Sequence, residues 1–177
     1  IHIPVIIASL LMGPKKGGAL GFLFGLTSFI NNTINPSATS FVFTPFYSLG
    51  EFSGGIGSVI ICFIPRILVG IVPYFVYKLV LRLSRETTKN RGVSNIGLVL
   101  AGISGALVNT LLVMNLIYIF FGDAYIKASE KAVSLGYMVI LSIIGINGVP
   151  EAIIAGILTL CIGKVLLKKN VRERLGF

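Results

Sequence analysis

The chain has 177 residues, of which 55% are hydrophobic and 12% charged. A soluble domain carries about 25% charged residues, and several runs here exceed the roughly 20 apolar residues that cross a bilayer, which excludes a soluble globular fold. The net charge of +9 would suit a nucleic-acid binder, but the basic residues cluster at the ends of apolar runs, the positive-inside distribution of a membrane protein rather than a nucleic-acid groove.

The first apolar run, Ile3 to Met12, is short for a crossing and ends at the turn Gly13-Pro14-Lys15-Lys16-Gly17. The second, Gly18 to Ile30, carries Gly17, Gly21 and Gly25 four residues apart, so one helix face is bare backbone on which a neighbouring helix can pack closely. From Asn31 to Gly55 the chain is polar yet rich in phenylalanine (Phe41, Phe43, Phe46, Phe52), and a loop of that length is ordinarily functional or disordered. The aromatic content favours a lid that packs onto something. The third run, Ile56 to Leu81, and the fourth, Ile96 to Phe121, are each long enough to cross alone, separated by a polar connector over 82–95. The run Ala132 to Leu167 exceeds one span. Asn147-Gly148-Val149-Pro150 interrupts it, and proline favours the first turn of a helix, which predicts a last span from Val149 to Leu167 preceded by an interfacial or partly inserted helix. A basic tail, 168–177, closes the chain.

The expected fold is therefore an all-α polytopic transmembrane helical bundle, a single domain with five visible spans. Lys15-Lys16, the 82–95 connector and the 168–177 tail fall on one side, which the charge rule makes cytoplasmic. The aromatic loop 31–55 and the Asp123 to Lys131 connector then face outward. Cys62 and Cys161 lie in apolar runs without metal or redox spacing and read as small buried hydrophobes.

Polar residues inside the spans carry the functional reading. Arg66 stands ten residues into the third span, about 15 Å deep at helical rise, where an ionisable side chain marks a functional site by default. The plainer alternative is a structural salt bridge to Glu151. Ser104, Asn115 and Tyr118 share one face of the fourth span, while Gly102, Gly105 and Asn109 share another that reads as helix packing. Asn147 and Glu151 are one turn apart. With Asn31, Phe43 of the loop and His2 at the rim, these groups line up at the outer side as a solute pocket with apolar walls and a few placed polar groups. No metal cluster, activated nucleophile or phosphate loop is legible, so neither an enzyme nor a protein with its own ATPase is expected, and no cofactor. A solute-capturing transporter subunit, a self-sufficient secondary transporter or channel, and a ligand-free membrane scaffold all remain compatible with these residues.

His2-Ile3-Pro4-Val5-Ile6-Ile7, Gly13-Pro14-Lys15 leading into a glycine-rich helix, the aromatic loop, Pro65-Arg66-Ile67-Leu68-Val69-Gly70 and Asn147-Gly148-Val149-Pro150-Glu151-Ala152, in that order, resemble the substrate-binding S components of energy-coupling factor (ECF) vitamin transporters. The resemblance covers essentially the whole chain. It implies a six-helix bacterial cell-membrane protein that captures a vitamin or precursor on the outer side. It also implies partners: a transmembrane coupling protein (the T component) and two ABC ATPases that consume the ATP. The helix that normally carries the coupling motif of small residues is expected upstream of Ile1. Among such proteins the chain looks closest to the pantothenate or hydroxymethylpyrimidine type. Pantothenate would use Arg66 as charge partner with Asn115 and Asn147 as hydrogen-bond partners, whereas a pyrimidine would stack on the loop aromatics. Phenylalanine without tryptophan favours pantothenate.

Overall fold

In the computed structural model, which describes residues 2–49, 52–83, 94–128 and 137–167, the apolar runs become helices packed side by side. The connector core 84–93, the segment 129–136 with Glu130 and Lys131, and the tail 168–177 lie outside the described residues. Helix α1 (His2–Met12) turns sharply at Gly13, whose φ of 88° is open to glycine, into α2 (Pro14–Ile34) with proline in its first turn. The turn is thus one residue wide, and Lys15 and Lys16 belong to the first turn of α2 rather than to a loop. At its far end α2 continues four residues beyond Ile30, so the loop begins at Asn35.

Residues 35–49 and 52–55 are not open coil. A 3-10 turn (Ser40–Val42) is followed by a two-stranded antiparallel ribbon in which β1 (Ser48–Leu49) pairs with β2 (Phe52–Ser53). Phe41 and Val42 are wholly buried against Ile61, Val113 and Ile117, and the Phe41 ring meets Phe121 edge-on at 5.8 Å. The Ser58 hydroxyl donates to the Phe41 carbonyl at 2.6 Å, and Thr33 and Thr44 share a hydrogen bond, which ties the segment to α2 and to the helix that follows it. Phe46, by contrast, is 76% exposed.

The third rod is α3 (Ile56–Val69) and α4 (Val72–Leu83), broken at Gly70-Ile71 rather than at Pro65. Helix α5 (Asn95–Ala128) runs seven residues past the expected end, with a kink at Phe121 (φ −140°, ψ 22°). The last rod joins what the sequence reading divided into an interfacial or partly inserted helix and a span from Val149. α6 (Tyr137–Ile143), a π turn (Ile144–Gly148) and α7 (Val149–Leu166) follow one another without a break. Pro150 offers no N–H to the carbonyl four residues back and its ring would clash there, a conflict that the wider π turn absorbs.

Ile56–Leu83, Asn95–Gly122 and Ile140–Leu166 are each long and apolar enough to cross a membrane, while α1 is shorter. Lipid is as apolar as a leucine side chain, so close packing rather than burial from water holds such helices together. The glycines supply it. Gly17 meets Gly70 backbone to backbone, and Gly21 lies against the carbonyl of Arg66. Gly25 lies against Cys62, whose thiol donates to the Gly25 carbonyl at 3.3 Å. On α5 the expected glycine face serves two neighbours: Gly102 abuts Ala155 and Thr159 of α7, whereas Gly105 abuts Ile6 and Pro73. Cys62 is buried as expected, but Cys161 is exposed on the outside of the bundle.

Candidate functional site

Pro65 and Arg66 build one half of the site together. A proline inside a helix leaves the carbonyl four residues earlier without its partner, and here that carbonyl belongs to Ile61. The Arg66 Nη1 donates to it at 2.8 Å. The side chain is thereby folded back along its own helix, 8% exposed, with its guanidinium carbon 5.1 Å from the centre of the Phe43 ring and 5.9 Å from that of Phe24. Its Nε has no hydrogen-bond partner, and no carboxylate among the described residues pairs with it. The structural salt bridge to Glu151 is not formed.

Glu151 is engaged elsewhere. One carboxylate oxygen lies 3.3 Å from His2 Nδ1, and the other accepts from the Thr110 hydroxyl at 3.0 Å. His2 is buried and its Nε2 has no partner, whereas the Glu151 side chain is 40% exposed. His2, Asn147 and Glu151 line a cleft of about 450 Å³ whose apolar walls include Ile3, Ile146 and Ile154.

A third group forms at α5 and α6. The Tyr137 hydroxyl donates to Asn115 Oδ1 at 2.8 Å, Asn115 Nδ2 donates to the Leu111 carbonyl at 2.7 Å, and the Tyr118 and Tyr137 rings meet at 5.0 Å. Tyr118 is 42% exposed, and its ring contact is with Tyr137. Asn31 is exposed near the end of α2, where its Oδ1 accepts from Asn35 Nδ2 at 3.5 Å.

The sequence-selected residues thus gather into Arg66 with Phe43, His2 with Asn147 and Glu151, and Asn115 with Tyr118, leaving Asn31 apart. The first two groups share a depth. Gly57 faces Phe120 and Pro73 faces Gly105, an antiparallel register that sets Arg66 level with the Thr110 turn of α5, and Thr110 holds Glu151. Sequence reasoning missed three contributors. They are Phe24 beside the guanidinium, Thr110 on Glu151 and Tyr137 on Asn115. Only Pro65 beside Arg66 carries a signal, a missing donor next to a surplus one.

Residues 1–163 match the family described as ECF transporter, substrate-specific component. The chain is 42% identical over 169 residues to the pantothenic acid transporter PanT of Lactococcus lactis subsp. cremoris, covering 95% of this chain and 76% of that protein. It is 29% identical over 185 residues to the pantothenate transporter PanT of Leuconostoc mesenteroides subsp. mesenteroides, covering 99% of this chain and 77% of that one.

Proposed function

The chain belongs to the substrate-specific components of ECF transporters, membrane subunits that bind substrate rather than catalyse, and from that membership we propose that its substrate is pantothenate, captured from the outer side of a bacterial cell membrane. The observation that carries the reading is Arg66, a buried guanidinium with an unpartnered Nε, no acidic partner among the described residues and two aromatic rings beside it. A cation left in that condition in an apolar bundle gains most from an anion that brings its own charge, and a planar carboxylate matches the guanidinium fork. The names of the two relatives point to the same acid. They favour it over a pyrimidine, which would offer Arg66 no charge.

On this reading residues 35–55 are the outward lid, and Phe43 is its contact with the anion site. Release into the cell falls to a transmembrane coupling protein and two ABC ATPases, with which this chain assembles.

Calorimetry on the purified protein tests the assignment. Pantothenate binds the natural protein, and Arg66→Leu lowers its affinity by at least about 100-fold, the scale of a desolvated charge-assisted pair. Pantothenol, which has an alcohol in place of the carboxylate, binds the natural protein weakly and is indifferent to Arg66→Leu. Equal affinity of the natural protein and Arg66→Leu for pantothenate would overturn the assignment.

A further inference from the structure

Pantothenate is chemically lopsided: its carboxylate only accepts hydrogen bonds, while its other end carries two hydroxyl groups that can donate. The protein has a matching asymmetry. Arg66 only donates. Glu151 only accepts, and of the roughly four lone-pair positions on an ionised carboxylate, His2 and Thr110 occupy two. Glu151 lines a cleft of about 450 Å³, where Asn147 adds an amide. Arg66 and Glu151 stand at one depth on α3 and α7, two helices that both pack against α5. Extended pantothenate, comparable to three extended residues, is about 10 Å long, which lets its two ends meet different helices.

We propose that Glu151, held by His2 and Thr110, receives the hydroxyl end of the substrate whose carboxylate sits at Arg66, and that its charge excludes the phosphate ester of that same molecule. This rests on the pantothenate reading above. A neutral acceptor such as glutamine would bind hydroxyl groups too. A carboxylate adds discrimination, because a phosphate in place of the terminal hydroxyl would bring up to two negative charges against it inside an apolar cleft. The subunit then takes up the free acid and ignores its phosphorylated form, the species that a kinase inside the cell would make from it. Thr110 and His2 are positioning residues here: they fix which lone pairs of Glu151 remain available.

Competition calorimetry with pantothenate and its terminal phosphate ester tests the idea. The natural protein binds the ester at least about 100-fold more weakly than pantothenate, since like charges brought together cost several kcal/mol. Glu151→Gln narrows that ratio by about tenfold or more, with pantothenate itself bound more weakly through the altered acceptor, and Thr110→Val, which keeps the charge but frees the carboxylate, narrows it less than Glu151→Gln does. An analogue with hydrogen in place of the terminal hydroxyl binds the natural protein about tenfold more weakly than pantothenate, a comparison that needs no variant to fold. Equal binding of ester and acid by the natural protein, a ratio untouched by Glu151→Gln, or full affinity for the deoxy analogue would each overturn the proposal while leaving the pantothenate assignment standing. Failure of the natural protein to bind pantothenate would overturn both.

Discussion

Gly21→Ala adds one methyl group, yet the structure gives it nowhere to go. The new Cβ would fall inside the van der Waals shell of the Arg66 carbonyl oxygen and within 2.9 Å of the Ile67 Cα, both of them backbone that cannot rotate aside. Restoring ordinary contact requires α2 and α3 to part by on the order of 1 Å, and overpacking of that kind costs about 1–3 kcal/mol. The displaced segment carries Arg66 itself, and Phe24, one turn along α2, moves away from the guanidinium with it. A 1 Å error at a binding group costs up to about 100-fold, so pantothenate affinity should fall by at least about tenfold, beyond any loss of stability. Calorimetry for affinity and thermal unfolding in detergent for stability separate the two; the chain has no tryptophan to report binding by fluorescence. Gly18→Ala is the control, since the nearest atoms to its Cβ would be side-chain rather than backbone atoms, Ile71 Cγ1 at 3.2 Å and Cδ1 at 3.3 Å, with Ile67 Cγ2 at an ordinary 3.9 Å. In an Arg66→Leu background Gly21→Ala should cost no further affinity for the carboxylate. Natural affinity and unfolding temperature in Gly21→Ala would refute the reasoning.

Pro65→Ala should separate stability from binding. It returns an N–H that competes with Arg66 for the Ile61 carbonyl, so the unfolding temperature should hold or rise while affinity falls about threefold to tenfold; a parallel loss of both would contradict the role given to Pro65. Phe41→Ala should cost about 3–5 kcal/mol and expose residues 35–55 to protease, because its ring is fully buried against Phe121 and Ile117. Phe46→Ala, which removes a mostly exposed ring, should be close to neutral in the same assays.

The helices were legible because apolar runs of this length leave few alternatives to a membrane, and Arg66 was legible because a charge in such a run is costly. What pairs with what was not. Arg66 and Glu151 have opposite charge and similar depth, which kept a structural salt bridge open as the plainer alternative to ligand contact. Local chemistry decided otherwise: Pro65 frees a carbonyl within reach of Arg66, and His2 and Thr110 supply donors to Glu151 from two other helices. Asn115 and Tyr118 were placed on one helix face, but a face alone does not name its neighbour. Tyr137, far along the chain, is the residue that pairs with Asn115 there. The glycine stripe was read as helix packing, which it is, yet the spacing alone does not say that Gly21 abuts the backbone of the buried Arg66.

The π turn at Ile144–Gly148 sits between two contacts with α5, Tyr137 to Asn115 on one side and Glu151 to Thr110 on the other. A π turn holds one residue more than the α-helical turn it replaces, so the two flanks are rotated against each other by about 100°, one residue's share of a helical turn. Gain or loss of a single residue there acts as a quarter-turn of a dial rather than as a change of length. It would let one flank keep its partner while swinging the other away, so related chains that differ by one residue at this point would present a different side chain where Glu151 stands here.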